Sequence, residues 1–97
     1  MNKKVQNKKE AKQFAFAWTD NAWKDYLYWQ EENPKLVDEI NRLLAECRRD
    51  PFRGTGKPEP LKGDLTGYWS RRITKEHRLV YLPADNGIYV VACRYHY

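Results

Sequence analysis

The sequence predicts a single α+β domain in which two antiparallel helices pack on one face of a twisted antiparallel sheet. An apolar, aromatic run comes first, two segments with helical spacing follow, and three strand-like segments with short connections end the chain. Because the helices and most of the strands occur in separate blocks, the helices are expected on one side of the sheet. The length of 97 residues leaves room for only one hydrophobic core.

The first strand and the first helix are predicted from the segment that begins at residue 14. Residues 14–18, with the sequence FAFAW, are short, apolar and rich in aromatic rings, which is typical of a strand. Thr19 or Asp20 is expected to cap the helix that follows at once. One face of that helix is expected to consist of Trp23, Tyr26, Leu27 and Gln30, which are three or four residues apart.

The second helix is more strongly patterned than the first. Asn33 and Pro34 form a restart signal, with Asn33 as the cap and Pro34 at the first helical position. Asp50 followed by Pro51 is expected to end the helix. The short connection predicts that the two helices are antiparallel. A continuous apolar stripe consists of Leu36, Val37, Ile40, Leu43, Leu44 and Cys47.

The second half of the chain predicts a loop followed by three strands. Residues 52–67 contain four glycines and two prolines, which favours a loop with a short strand at its middle. The predicted strands are residues 68–73, 77–82 and 88–95, and their connections are short enough for hairpins.

The net charge of +5 is unevenly distributed along the chain. Residues 1–13 hold five lysines and one glutamate, and we interpret them as a basic, flexible N-terminal extension. Residues 14–47 hold three basic and seven acidic residues, whereas residues 48–97 hold ten basic and five acidic residues. A basic second half provides the positive surface that an RNA-binding or DNA-binding protein needs.

Cysteine usage and hydropathy predict a cytoplasmic protein. Cys47 and Cys93 lie in different predicted elements and are expected to be buried, reduced thiols. Neither has a second cysteine or a histidine at the spacing of metal ligands, so no metal and no cofactor are expected. No apolar run is long enough to span a bilayer, and the basic start has no apolar segment of a signal peptide after it, so no membrane association is expected.

One fixed carboxylate lies in a segment that otherwise combines cations with aromatic rings. Glu59 stands between Pro58 and Pro60, which hold its backbone extended because proline fixes its own φ and restricts the preceding residue. This combination suits single-stranded nucleic acid, a polyanion with flat bases. For any one arginine, a solvated hairpin remains the alternative. The surrounding residues are Lys62, Tyr68, Trp69, Arg71, Arg72, Lys75, Arg78 and Tyr81.

Cleavage of RNA through its 2′-hydroxyl needs a base, a cation beside the phosphorane and an acid for the departing 5′-oxygen. Glu59, Arg78 and His96 offer these groups in that order. His96 follows an apolar strand that would hold the chain end in place, and imidazole donates a proton near neutral pH. His77, the other histidine, is assigned a structural or surface role.

Three segments of the chain resemble the YoeB toxins of the RelE/ParE superfamily. They are WKDYLYWQ at 23–30, GKPEPLKGDLTGYWSRRITKEHRLVY at 56–81 and ACRYHY at 92–97. The resemblance extends over residues 14–97, which we take as the toxin domain, and residues 1–13 are its one clear departure. It implies a RelE-like fold, similar to that of the microbial ribonucleases.

The resemblance also implies roles for individual residues. The general base of the family falls on Glu59, its phosphate-binding arginine on Arg78, its general acid on His96 and its terminal tyrosine on Tyr97. The residues predicted to contact RNA or the ribosome are Lys57, Lys62, Arg71 and Arg72.

The activity implied by the resemblance is that of a type II toxin which cleaves mRNA in the ribosomal A site and so inhibits translation. Its expected partners are the bacterial ribosome, that mRNA, a YefM-like antitoxin and a second copy of the chain. Two alternatives are a non-catalytic toxin on the same fold, such as a ParE-like gyrase inhibitor, and a plain RNA-binding domain. The set of Glu59, Arg78 and His96 argues against both, because a binder does not need it.

Overall fold

Two helices and a five-stranded sheet form the core of the computed structural model, which describes residues 14–95. The predicted α+β class is confirmed. The extension at 1–13, together with His96 and Tyr97, lies outside the described residues. The strands are β1 (Ala15–Trp18), β2 (Glu59–Pro60), β3 (Trp69–Arg72), β4 (Arg78–Ala84) and β5 (Gly87–Ala92). The helices are α1 (Asp20–Glu32), α2 (Pro34–Arg49) and a short 3₁₀ helix at Gly63–Leu65.

Thr19 fixes both the start of α1 and its attachment to the sheet. Its hydroxyl accepts a hydrogen bond from the Ala22 N–H at 3.0 Å, so Thr19, one of the two predicted caps, is the N-cap. The same hydroxyl donates to the carbonyl oxygen of Val91 at 2.9 Å. A single side chain therefore sets the rotation of α1 about its axis relative to β5.

The face of α1 that residue spacing singles out is not its buried face. Ala22 and Trp29 are buried, whereas Trp23 and Leu27 are 46% and 44% exposed. Trp23 instead lies on the surface, where its ring stacks with that of Tyr26 at 5.7 Å. Residue spacing alone does not show which face of α1 is buried, because this helix carries aromatic side chains around most of its circumference. The hydrogen bond from Thr19 to Val91 selects the buried face.

The apolar stripe of α2 forms the helical side of the core as predicted. Ile40, Leu43, Leu44 and Cys47 are buried, and they pack against Leu79, Tyr81 and Val90 of the sheet among other residues. Asn33 precedes Pro34 as predicted, but its side chain makes no capping hydrogen bond. Its carbonyl oxygen accepts from the Leu36 N–H instead.

The sheet has the order β1-β5-β4-β3-β2, and its last four neighbours form antiparallel pairs. The predicted antiparallel arrangement is confirmed for these strands, whereas the pair of β1 with β5 at the edge is parallel. The residue pattern of β1 does not indicate whether it pairs in parallel or antiparallel with β5, which lies some seventy residues later in the chain. The predicted short strand within 52–67 is present as β2.

Both cysteines are free and buried, as predicted. Burial raises the pKa of the Cys93 thiol to about 12 and also raises that of Cys47, so both remain protonated near neutral pH. Neither helix within residues 14–95 is long and apolar enough to span a bilayer.

Arg71 is a buried arginine that ties the loop after α2 to the sheet. Its side chain is completely inaccessible to solvent, so the prediction that it contacts RNA or the ribosome is wrong. Nη2 donates to the carbonyl oxygens of Asp50 at 2.6 Å and Arg53 at 2.8 Å, and Nη1 donates to that of Thr55 at 3.3 Å. Guanidinium offers five N–H donors in a planar fork, which suits several carbonyl groups at once.

Tyr81 and Glu46 complete the surroundings of this guanidinium. Nε of Arg71 donates to the Tyr81 hydroxyl at 3.0 Å, and that hydroxyl donates to the carbonyl oxygen of Pro51 at 2.6 Å. Glu46 lies 3.9 Å from Nη1 and accepts hydrogen bonds from the hydroxyl and the N–H of Thr55. Those two bonds, followed by the charges of Arg42 and Arg71, hold the pKa of Glu46 below its ordinary value.

We predict that Arg71→Met lowers the free energy of unfolding by about 3–5 kcal/mol, because it leaves three loop carbonyls without their donor. Arg72→Met is the matched control, since Arg72 is the next residue of β3 and is exposed. It should change stability by less than about 1 kcal/mol. Urea denaturation followed by tryptophan fluorescence measures both. Equal destabilisation by the two variants would show that the buried network does not hold the loop.

Candidate active site

Strand alternation places four polar residues on the face of the sheet that points away from the helices. Glu59 pairs with Ser70 between β2 and β3, and Arg72 pairs with Arg78 between β3 and β4. Directly paired residues, and residues two apart on one strand, share a face of a sheet. Arg71 lies between Ser70 and Arg72 and therefore points to the helical side, where it is buried.

These side chains line a small cleft with a volume of about 40 Å³. Glu59 and Arg72 are exposed at this cleft, Arg78 is half-buried, and Ser70 is buried. The cleft is lined by Gly56, Lys57, Glu59, Ser70, Arg72 and Arg78. It thus combines one carboxylate with three cationic side chains, which suits an anionic ligand.

The loop before β2 forms one wall of the cleft and is held close to β3. The carbonyl oxygen of Gly56 accepts from the N–H of Arg72 at 2.6 Å. Gly56 has a φ of +81°, and a Cβ there would approach the Arg72 carbonyl oxygen to 3.0 Å, so glycine permits this close approach. Lys57 has a φ of +49°, which is uncommon for a residue with a side chain and typical of functional loops.

The Arg78 guanidinium is held in place by the turn between β3 and β4. Its Nη1 donates to the carbonyl oxygens of Thr74 at 2.8 Å, Lys75 at 3.2 Å and His77 at 3.2 Å. Within residues 14–95, Nη2 and Nε of Arg78 make no hydrogen bond to the protein. The side chain is therefore positioned by one nitrogen and offers the other N–H groups to a ligand.

Arg72 and Arg78 face each other directly across two strands. Like charges in directly opposed positions of a sheet destabilise it. A bound phosphate would relieve this repulsion, because arginine binds phosphate through parallel N–H···O bonds. The pair of arginines is therefore the strongest indication of an anion site in the described part of the chain.

The C-terminal segment is fastened to the start of β4 next to this site. The N–H of Arg78 donates to the carbonyl oxygen of Tyr95 at 2.7 Å, and the N–H of Tyr95 donates to Nδ1 of His77 at 2.7 Å. Tyr95 directly precedes His96 and Tyr97 in the sequence. The two predicted C-terminal site residues thus follow directly on a residue that is hydrogen-bonded to Arg78.

A second anchor connects the same segment to α1. The Trp29 indole N–H donates to the carbonyl oxygen of Cys93 at 2.8 Å, and the Cys93 N–H donates to the Asp25 carboxylate at 3.0 Å. Burial raises the pKa of Asp25, although the bond from Cys93 and the charges of Arg94 and His77 act in the opposite direction. Arg94 lies over the Tyr28 ring, with its guanidinium carbon 3.6 Å from the ring centroid.

The structure brings together only some of the residues predicted from sequence. Glu59, Lys57, Arg72 and Arg78 line the cleft, whereas Lys62 is exposed outside it and Arg71 is buried in the core. His77, predicted to have a structural or surface role, lies directly before β4 and contacts Tyr95 and Trp29. Sequence analysis missed Ser70, Gly56 and the anchoring residue Asp25. Strict alternation with Arg72 would have indicated Ser70, but no local pattern indicates that Asp25 meets Cys93 across 68 positions.

Comparison with known proteins gives a consistent set of relatives. Residues 18–97 match the family described as YoeB-like toxin of bacterial type II toxin–antitoxin system. Toxin YoeB of Escherichia coli strain K12 is 58% identical over 80 residues, which are 82% of this chain and 95% of that protein. The structure of a YoeB dimer from Staphylococcus aureus is similar, with a TM-score of 0.82 and 46% identity over 88% of this chain and 99% of that one. A heterotetrameric YoeB–YefM complex from the same organism gives a TM-score of 0.81 and 47% identity over 87% and 98% of the chains.

We predict that Asp25→Asn changes how stability depends on pH. A carboxyl group whose pKa is raised in the folded state binds its proton more tightly there than in the unfolded chain. It therefore contributes stability below the unfolded value, and this contribution is lost as the pH rises through the folded value. Asparagine keeps an oxygen that accepts from Cys93 but does not titrate.

Urea denaturation of both proteins between about pH 3.5 and pH 7 provides the measurement. The stability of the wild type relative to Asp25→Asn should fall as the pH rises and then become constant. A rise over the same range would mean that the folded protein favours the ionised carboxylate.

Proposed function

This chain belongs to the family of YoeB-like toxins of bacterial type II toxin–antitoxin systems, and we propose that it is a ribosome-dependent endoribonuclease that cleaves mRNA in the ribosomal A site. The observation that carries the proposal is the cleft in which Glu59 lies on the same sheet face as the opposed pair of Arg72 and Arg78. This arrangement provides a carboxylate base beside a phosphate site, which is what cleavage through the 2′-hydroxyl requires.

In the proposed reaction, Glu59 removes the proton from the 2′-hydroxyl of the nucleotide before the cleaved bond. The resulting oxygen attacks the neighbouring phosphorus, and negative charge increases on the non-bridging oxygens. Arg78 donates guanidinium N–H groups to that charge, and Arg72 neutralises the same phosphate from the opposite strand. Because the turn carbonyls already hold Arg78, little reorganisation is needed when the charge develops.

His96 is the proposed general acid, which protonates the departing 5′-oxygen. The anchor of Tyr95 on Arg78 supports this role, because His96 is then only one residue away from the main chain of the phosphate-binding arginine. Tyr97 is proposed to stack on a base or to hold the imidazole, as an aromatic ring beside single-stranded RNA does. The reaction as written uses the side chains of these two residues together with Glu59, Arg72 and Arg78, and no metal or cofactor.

Basic residues around the cleft are proposed to dock the protein on the ribosome. Lys57 lies at the cleft, and Lys62 is exposed immediately before the 3₁₀ helix. Residues 48–97 carry ten basic and five acidic side chains, and rRNA phosphates are the natural partner of such a surface. Arg71 is excluded from this set because it is buried.

Regulation is proposed to involve a YefM-like antitoxin and a second copy of the chain. The basis is that a similar toxin from Staphylococcus aureus forms a YoeB–YefM complex and that another structure from that organism is a YoeB dimer. An acidic, partly disordered segment of the antitoxin would fold onto the basic face and cover or distort the cleft. The protein is proposed to act in the cytoplasm, where ribosomes and mRNA are found.

We predict that Glu59→Gln, Arg78→Ala and His96→Gln each slow mRNA cleavage by about 10²–10⁴-fold, because each removes one group needed in the transition state. The measurement is single-turnover cleavage of mRNA on purified ribosomes programmed with a codon in the A site. Glu31→Gln is the control for the loss of one negative charge, since Glu31 is exposed on α1.

The control should cleave at the wild-type rate. Any of the three variants that also did so would lose its assigned role, and a wild-type protein that leaves the mRNA intact would overturn the proposed activity. Circular dichroism of each variant separates a lost reaction from a lost fold.

A further inference from the structure

We infer that His77 is a positioning residue for the proposed cleavage reaction and that its unprotonated Nδ1 holds the chain just before His96 and Tyr97. The catalytic meaning of this inference rests on the proposed function. The hold on the C-terminal segment depends on the contacts of Tyr95, His77 and Trp29, and it can be measured without the reaction.

Tyr95 is held through both of its backbone polar groups by two consecutive residues. Its N–H donates to Nδ1 of His77 at 2.7 Å, and its carbonyl oxygen accepts from the N–H of Arg78 at 2.7 Å. The φ of Tyr95 is +62°, in the left-handed region that residues with side chains rarely adopt. The chain therefore makes an unfavourable turn at the last residue before His96, and these two bonds maintain it.

The imidazole itself is held rigidly enough to direct this turn. The Trp29 ring packs edge-on against it, with the centroids 4.7 Å apart and the planes at 72°. Trp29 is buried and also donates to the carbonyl oxygen of Cys93, so one side chain contacts both His77 and the C-terminal segment. The backbone of His77 is fixed at the turn, where its N–H donates to the Thr74 hydroxyl at 3.1 Å.

The bond from Tyr95 requires a particular protonation state of His77. A backbone N–H only donates, so Nδ1 must be the acceptor and the ring proton of the neutral imidazole must lie on Nε2. A protonated imidazole has an N–H at both positions and opposes the Tyr95 N–H. Protonation of His77 should thus release the segment that carries the proposed general acid.

Charged groups around His77 come from three elements. Asp25 lies on α1 within range of the charges of His77 and Arg94, and Arg94 belongs to the C-terminal segment itself. The turn between β3 and β4 contributes Lys75, Glu76 and the neighbouring Arg78. None of them replaces Nδ1 of His77 as the acceptor for the Tyr95 N–H.

Two substitutions distinguish the effect of the Nδ1 acceptor from the effect of the aromatic ring. His77→Phe keeps an aromatic ring against Trp29 but has no acceptor. His77→Asn places its Oδ1 close to the position of Nδ1, and this acceptor does not titrate. We expect His77→Phe to slow single-turnover cleavage by about tenfold with unchanged ribosome affinity, while His77→Asn stays within about threefold of the wild type.

Hydrogen exchange of the Tyr95 amide provides a readout that does not depend on activity. We expect His77→Phe to reduce its protection by about tenfold, and His77→Asn to retain it. In the wild type, acid that protonates the imidazole should lower the protection relative to the intrinsic exchange rate, and in His77→Asn protection should stay constant. If His77→Phe does not fold, His77→Gln replaces it, because its longer side chain moves the acceptor away from the Nδ1 position.

Different results contradict the inference about His77 and the proposed function. Equal Tyr95 protection in the Phe and Asn variants would overturn the inference whether or not the wild type cleaves mRNA. Equal loss of cleavage in both variants would also overturn it, because the ring rather than the acceptor would then matter. Absence of cleavage by the wild-type protein would instead contradict the proposed function.

Discussion

The buried guanidinium of Arg71 is the interaction on which the arrangement of the cleft depends. It binds three carbonyl oxygens of the loop after α2 and the hydroxyl of Tyr81, so it fixes that loop against β3 and β4. The loop leads directly into Gly56 and Lys57, which form one wall of the cleft. An arginine in a core is costly to desolvate unless its N–H groups are paired, and here the loop carbonyls provide that pairing. Strand β3 thus contributes Ser70 and Arg72 to the cleft and Arg71 to the buried network.

Segments from distant parts of the sequence meet at Arg78. Its main chain pairs with Arg72 on one side and binds Tyr95 on another, while its side chain is fixed by the carbonyls of the preceding turn. The base comes from a short strand between prolines, and the proposed acid follows the last described residue. A site assembled in this way needs a rigid sheet more than it needs a deep pocket, because its proposed ligand is a polymer that the ribosome would also hold. The shallow cleft is consistent with that requirement.

Local chemistry determined most of what was predictable from this sequence. The cap Thr19, the prolines at 34 and 51 and the stripe of α2 set the helices. The strand and loop signals located four of the five strands approximately and anticipated the fifth, β2. Three features were missed, and two of them depended on contacts between distant segments. The face of α1 is chosen by the bond between Thr19 and Val91, the direction of β1 follows from its pairing with β5, and the burial of Arg71 follows from alternation about Ser70. Alternation was visible in the sequence, but a basic residue among basic residues was assigned to the surface.

The chemical ends of the RNA fragments test the central claim most directly. Attack by the 2′-hydroxyl, with Glu59 as base and His96 as acid, breaks the bond from phosphorus to the 5′-oxygen. The wild-type protein on programmed ribosomes should therefore leave a 2′,3′-cyclic phosphate on the upstream fragment and a 5′-hydroxyl on the downstream fragment. Mass spectrometry of the fragments identifies both ends. A 3′-hydroxyl with a 5′-phosphate would mean that water attacked the phosphorus, and it would contradict the role of the cleft described above.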